Sequence, residues 1–459
     1  MVFLTWLGTL SLSAATIVLP TEVVTATRAP QPPAHAASTV HILDAELLRS
    51  SPALTLDGVL RSVPGFSLFR RSDSLIANPT AQGVSLRGLG PSGASRSLVL
   101  LDGVPLNDPF GGWVAWTKVP RVSLGRVEIV PGGGGAAWGN AALGGVVQML
   151  LRPPRPGEQA THVVASGGDF GTRSIELSHT QPFGDHHLEV QGRVFATDGF
   201  SLVAPERRGP IDIAASSRHR WINARWRQRA GAHVDVTATV RGYEEKRGNG
   251  TPYQRNDSRE KFISLAATSR DLHAFSWQAV AYAQDQSFAS TFGAVNATRT
   301  VETPASDQYD VPSTAFGAAW TANWRHLGTP GFARTTAGVD ARRVRGETRE
   351  HFTFAAGDFT RQRIAGGRQD VAGIFALHDR RLASDFRTTI GARLDRWSDT
   401  EGIRRETDRI TGLRLRNDAY PERSGTAFSP NLGFVWRPRH ESSQGLRANF
   451  QRTFRRPTL

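Results

Sequence analysis

The sequence predicts an α+β domain followed by an antiparallel β-barrel of the transmembrane type. Three observations carry this reading. Apolar residues recur with a helical period only in the first third of the chain. From about Thr161 a strict two-residue alternation replaces that period. Short connections then alternate with long polar ones, as they do in membrane barrels.

The 459 residues are too many for one ordinary domain. The absence of cysteine excludes disulfides, thiol chemistry and Cys-based metal sites. The formal net charge is +14, carried almost wholly by arginine, with lysine only at positions 118, 246 and 261. These cations do not form runs; they alternate with apolar residues, as in Trp221-Ile222-Asn223-Ala224-Arg225-Trp226-Arg227. That pattern is not one for nucleic acid, and no nucleic-acid partner is expected. It suits a polar lumen or a surface facing anionic lipid. Mean hydropathy is −0.32, and no internal apolar run is long enough for a spanning helix. A barrel escapes that test, because each strand averages to neutral.

Residues Met1–Thr21 carry no charge, with an apolar core at Phe3–Leu10 and small residues at Ser13-Ala14-Ala15. Residues 1–15 read as a signal peptide without its basic start. Residues 16–37 hold a short β-prone stretch, Glu22-Val23-Val24-Thr25-Ala26, and then a Pro/Ala-rich tether. A strand on a tether can add to the edge of a partner's sheet.

Residues 38–153 form the α+β domain. Thr39–Leu43 reads as a strand, and Asp44 as the cap of a short helix. Thr55 precedes a clearer helix, with Leu56, Val59, Leu60 and Val63 on one face. Strands are expected at Gly83–Arg87, Ser97–Leu101, Arg126–Val130 and Gly145–Leu151. Asp102-Gly103 reads as a tight turn whose carboxylate caps backbone. The Gly132–Gly135 run has no Gly-Lys-Ser/Thr after it, so it is read as a hairpin against a wall, not a phosphate cradle.

Residues 160–459 alternate. Leu188, Val190, Val194 and Ala196 share one face, while Glu189, Gln191, Arg193 and Thr197 share the other. Tight turns are expected at Gln181–Asp185, Arg229–Gly231 and Ser269–Leu272. Long connections are expected at Asp198–Ser217, Glu245–Arg259, Phe288–Pro312, Gly346–Gln369 and Ser398–Thr426. Trp221, Trp226, Trp277, Trp324, Trp397 and Trp436 lie near strand ends and suit interfacial girdles. About thirteen strands fit. An odd, open sheet cannot sit in hydrocarbon with its edges unsatisfied, so this segment is expected to be part of a longer barrel.

Three stretches carry a resemblance: Gly83-Val84-Ser85-Leu86-Arg87-Gly88-Leu89-Gly90; Leu98 through Asp108; and Val127-Glu128-Ile129-Val130 with Trp138 through Val147. Their order and spacing resemble the plug domain of TonB-dependent outer-membrane receptors. Glu22–Ala26 resembles the TonB box, and Leu446–Leu459 resembles a barrel segment of siderophore, cobalamin and haem receptors. The resemblance implies an α+β plug inside a transmembrane antiparallel barrel, which has 22 strands in the family. It implies a ligand-gated importer of the Gram-negative outer membrane, not an enzyme, with no cofactor. Its implied partners are TonB with its inner-membrane energising complex, membrane lipid, and a small metal chelate. Arg87 matches one of two family arginines that latch plug to barrel glutamates. The other is replaced at Val130-Pro131-Gly132. By loop position, Arg70, Arg71, Asn78, Ser92, Trp113 and Trp116 are the candidate ligand contacts. His186-His187 lacks a third ligand, so no metal site is expected. Two other readings stay open: a soluble secreted β-rich enzyme or binding module, and a passive porin with a degenerate plug.

Overall fold

The computed structural model describes residues 22–68, 73–89, 93–132, 134–155, 157–269, 274–328, 331–438 and 444–459. Its first unit holds seven strands: β1 (His41–Asp44), β2 (Phe66–Ser67), β3 (Ser85–Leu86), β4 (Leu98–Leu101), β5 (Val104–Pro105), β6 (Leu124–Pro131) and β7 (Gly145–Leu151). Five make a sheet in the order β1-β6-β7-β4-β5, and β2 pairs with β3. Three short helices join them: α1 (Ala45–Ser50), α2 (Leu56–Leu60) and α3 (Gly135–Trp138). Asp44 caps α1, its Oδ1 accepting from Leu47 N at 2.8 Å. Thr55 stands at the N-cap of α2 without a side-chain bond to it. The apolar face of α2 is the sheet's core partner. Leu56, Val59, Leu60 and Val63 pack with Leu43, Val127, Ile129, Val147 and Met149. Asp102 and Gly103 take positive φ (48° and 81°) in the β4–β5 turn, and Asp102 Oδ1 accepts from Leu151 N at 3.0 Å. The glycine run opens the connection of the antiparallel pair β6–β7, where Gly132 N donates to Gly144 O at 2.8 Å. It leads into α3, whose Ala136 and Ala137 pack on Phe375 and Leu377 of the second unit.

The second unit is an antiparallel meander. Its strands are β8 (Ala160–Gly168), β9 (Thr172–Phe183), β10 (His186–Phe200), β11 (Ala215–Ala230), β12 (Val234–Gly248), β13 (Arg255–Ser269) and β14 (Phe275–Val295). They continue as β15 (Glu302–Arg325), β16 (Ala333–Ala355), β17 (Asp358–Arg381), β18 (Phe386–Asp408), β19 (Arg414–Ala419), β20 (Arg423–Trp436) and β21 (Leu446–Gln451). These 14 strands make one open sheet, with β8 and β21 at its edges and β19 attached to the side of β18. The long connections expected from sequence are mostly strand. β14 and β15 run on through Phe288–Pro312, leaving only residues 296–301 between them.

Burial in this sheet is inverted relative to a water-soluble sandwich. Glu189, Gln191, Arg193 and Thr197 are buried against the first unit, whereas Val194 is 63% exposed. Ile222, Val240, Ile263 and Leu265 are likewise more than half exposed. An apolar outside with a polar inside is stable only where the outside meets lipid. Trp226, Trp324 and Trp436 are partly exposed near the tight-turn end, as an interfacial girdle requires. Trp221 is not part of that girdle. It shares the inward face with Asn223 and Arg225 and is 3% exposed.

Candidate functional site: arm, seam and lumen

The stretch Glu22–Ala26 does not hang free. It folds back on the first unit. Val23 and Gln31 form an isolated antiparallel bridge, with N–H···O distances of 2.8 and 3.1 Å. Glu128 of β6 faces the bend. Its Oε2 accepts from Val24 N at 3.0 Å, Thr25 N at 2.9 Å and Thr25 Oγ1 at 2.6 Å, while its Oε1 takes Arg126 Nε at 2.7 Å. Trp138 Nε1 donates to Thr25 O at 2.8 Å. The arm then crosses to the sheet wall. Arg28, at φ 56°, lies 3.0 Å from Asp340 Oδ2 of β16 with its guanidinium 4.1 Å from the Trp138 ring centroid. Arg393 of β18 holds the same carboxylate at 2.6 and 2.9 Å. Gly139 makes room for that arginine; a Cβ there would meet Arg393 Nε at 2.3 Å. Burial, only partly offset by Asp340, lowers the pKa of Arg28 to about 10. The group stays a cation at neutral pH, but a costly one to keep buried.

The candidate residues separate. Arg70, Arg71 and Ser92 lie outside the described residues. Asn78 is a cap, its Oδ1 accepting from Thr80 N at 3.1 Å. Trp116 is 1% exposed and sits edge-on to Phe66 inside the core of the first unit, so no ligand can reach it. Trp113 is also buried; it packs on Phe288 of β14 with ring centroids 5.1 Å apart. Its loop position suggested exposure, but that loop lies against the wall. Arg87 is in the left-handed region (φ 55°), exposed, and close to Gly132. Among the described residues it has no ion pair.

Sequence reasoning missed a buried ion pair that joins the two units. Lys118 Nζ lies 2.6 Å from Glu260 Oε2 of β13, both side chains essentially buried. Arg241 Nε and Gln284 Nε2 hold the same carboxylate at 3.2 and 2.8 Å. Lys118 was legible only as a rare lysine in an arginine-rich chain. Around it lie further polar contacts. Thr117 Oγ1 meets Tyr243 OH at 2.7 Å and Glu245 Oε1 at 2.9 Å, and Arg247 Nη1 donates to Ala77 O at 2.8 Å. Asp108 hydrogen bonds to Gln286 of β14. Burial pushes Asp108 up to about 6, against the pull of the Gly111 and Phe110 N–H groups and Lys118.

Two cavities lie between the units. One is lined by Asn107, Asp108, Tyr282, Asp340, Arg342 and Arg393, among others. The second opens among Arg225, Arg227, Asp235, Thr237 and Arg241 near the tight turns. They meet at Arg28, Gly103, Trp138, Val280 and Ala319. The arm therefore stands where one cavity passes into the other. No cluster of metal-ligating residues occurs among the described residues.

The α+β unit and the polar-lined sheet each match a family description. Residues 32–146 match the TonB-dependent receptor plug domain, and residues 205–459 match the TonB-dependent receptor-like β-barrel. The chain belongs to the TonB-dependent receptor family. Members of this family are receptors and transporters of the outer membrane of Gram-negative bacteria. The chain is 28% identical to the vitamin B12 transporter BtuB of Vibrio vulnificus (strain CMCP6) over 187 residues, which is 40% of this chain and 29% of that protein. The ferric-catecholate import receptor Fiu of E. coli K12, in its open form, superposes with a TM-score of 0.72 at 14% identity, covering 93% of this chain and 71% of Fiu. The alcaligin outer-membrane receptor FauA of Bordetella pertussis gives 0.67 at 15% identity, covering 91% of this chain and 63% of FauA. The chain thus spans less than two thirds of FauA. In the family's terms the first unit is the plug and the open sheet is barrel wall.

Proposed function

We propose that this receptor is a ligand-gated importer in the outer membrane. It takes up a metal chelate or similar scarce nutrient, such as a ferric siderophore, cobalamin or haem, and is energised through TonB. The observation that supports this best is the arm docked on Glu128 and Asp340 at the junction of the two cavities. The tight turns face the periplasm and the long hairpins face outward.

A ligand shifts an equilibrium only by binding two states differently. Asp340 and Arg393 line the outer cavity, and Asp340 holds Arg28. A ligand group that engages either residue weakens the hold on the arm. Glu22–Ala26, once free, offers backbone N–H and C=O groups for strand addition to TonB. The plug carries the force from there, and no bond chemistry is required. Arg70, Arg71 and Ser92 remain the proposed ligand contacts, and Arg87 a proposed plug latch.

The test is deletion of Glu22–Ala26 in cells growing on cobalamin or on single ferric siderophores. The proposal expects ligand binding to persist and uptake to stop. Uptake that continues without the box, or after the proton gradient is collapsed, supports the passive-porin reading instead. A protein found in the soluble fraction overturns both.

A further inference from the structure

We infer that Arg28 is the stopper of the ligand's passage: its guanidinium closes the junction of the two cavities, and release of the arm opens a way down the β12–β15 wall. This role rests on the import activity proposed for the receptor and adds to it where the ligand passes. The register places that wall. Thr237, Ala266, Val280 and Ala319 stand opposite one another on the inward face of β12–β15. Thr268, Gln278 and Thr321 form the next row toward the tight turns. All but Gln278 are short, so the wall here is a shallow trough. Across four strands about 4.8 Å apart, the trough is about 14 Å wide. Among the described residues no hydrogen bond or ion pair joins Ala266, Val280, Ala319 or Thr321 to the plug.

The plug is fastened on either side of this trough. Asp102 Oδ2 lies 3.4 Å from Arg225 Nη2 of β11, and α3 packs on Phe375 and Leu377 of β17. The Lys118–Glu260 tie lies toward the long hairpins. Glu260 stands six residues along β13 from Ala266, about 20 Å at about 3.3 Å per residue. Passage down the trough therefore leaves that tie in place. At the top of the trough the β4–β5 turn adds no bulk: Gly103 has φ 81°, and a Cβ on it would meet nothing within 4 Å. The arm does add bulk. Asp340 stands directly opposite Ala319, and Arg28 Nη2 is 3.0 Å from the Asp340 carboxylate. Residues directly opposite are close neighbours, so the guanidinium sits beside Ala319, and Arg28 is only 7% exposed. Trp138 closes the other side, against Arg28 and bonded to Thr25 O. It loses both partners when the arm leaves. Arg28 lies two residues beyond Ala26, so capture of Glu22–Ala26 draws it out of the junction.

The chain has no cysteine, so single thiols can be placed on a clean background. Ala266→Cys and Ala319→Cys lie on the path; Ser178→Cys, inward on β9, lies away from both cavities. The first readout is uptake of cobalamin or of single ferric siderophores by cells. A bulky maleimide on either path thiol should cut uptake at least about ten-fold, with ligand binding kept. The same label on Ser178→Cys should leave uptake unchanged. The second readout needs no ligand: the rate at which a small thiosulfonate labels purified receptor. Arg28→Ala, or an added TonB C-terminal fragment, should speed labelling of Ala319→Cys at least several-fold and leave Ser178→Cys unchanged. Heat-modifiable migration reports that each variant is folded. Equal labelling rates with and without the Arg28 side chain overturn the stopper. Uptake that persists with both path thiols modified overturns the route. A receptor that carries none of these nutrients refutes import itself; the labelling rates then still decide whether Arg28 closes the junction.

Discussion

Thr25 of the arm donates twice to one oxygen of Glu128, through its backbone N–H at 2.9 Å and its hydroxyl at 2.6 Å. Glu128 sits on β6, an inner strand of the plug sheet. The arm is thereby tied to the plug's interior and not to its rim.

Replacing Glu128 with Gln should free the arm. The anion that accepts from Val24 and Thr25 becomes neutral, and charge-assisted bonds of this kind contribute about 1.5–3 kcal/mol each. A loss of about 2 kcal/mol changes the docked-to-free ratio roughly 30-fold. A spin label at Ala26 should become mobile without ligand. An unchanged spectrum counts against the tie.

The Arg28–Asp340 contact should be the stronger hold. Asp340→Asn leaves Arg28 buried without its counterion, a change that costs about 3–5 kcal/mol. The hypothesis expects a TonB C-terminal fragment to bind this variant tightly in the absence of ligand. Arg28→Ala should do the same, and the double variant should add little beyond either single one. Calorimetry with purified proteins measures all three.

Lys118 and Glu260 test the plug–barrel seam. Lys118→Met strands a buried carboxylate that still has Arg241 nearby, while Glu260→Gln strands a buried ammonium. We expect each to lower the thermal midpoint in detergent, by up to about 3–5 kcal/mol of stability. The double variant should recover part of that loss. Additive losses would mean the pair is not coupled.

Asp108 supplies a pH dependence. Its folded pKa, about 6, is raised above the ordinary 3.8 by burial. The folded protein therefore binds this proton more tightly than the unfolded chain does. Stability from this group is complete below about pH 4 and is lost as pH rises through about 6. The full effect is at most about 3 kcal/mol. Thermal scans from pH 4 to pH 7 should show a decline that Asp108→Asn flattens. An identical slope in the variant rules out Asp108 as its source.

The plug and the strand alternation were legible because both rest on short-range periodicity. Leu56, Val59, Leu60 and Val63 announce a buried helical face, and Glu189 against Val190 announces an inward and an outward side. What failed depended on long-range pairing. Trp116 looks like any loop tryptophan until Phe66, 50 residues earlier, closes over it. Trp221 was read by its nearness to a strand end, although the two-residue period already put it with Arg225. The tie between Lys118 and Glu260 spans 142 residues and has no local signature. Glu22–Ala26 was recognisable as a β-prone stretch, but the docking of the arm depends on Glu128 and Asp340, which nothing nearby in sequence marks as its partners.

The seam described above mixes hydroxyls, amides and ion pairs with small apolar patches, at Trp113 on Phe288 and at Ala136 and Ala137 on Phe375 and Leu377, whereas the plug's own core is one large apolar cluster. Apart from the buried Lys118–Glu260 pair and the small apolar patches, the seam contacts can be handed to water at small net cost; each core contact, once opened, exposes hydrocarbon. Under a pull on the arm the wall therefore lets go before the plug comes apart. Water that follows the moving surface acts as a lubricant, so the plug can shift as a body and slide back when the load is released.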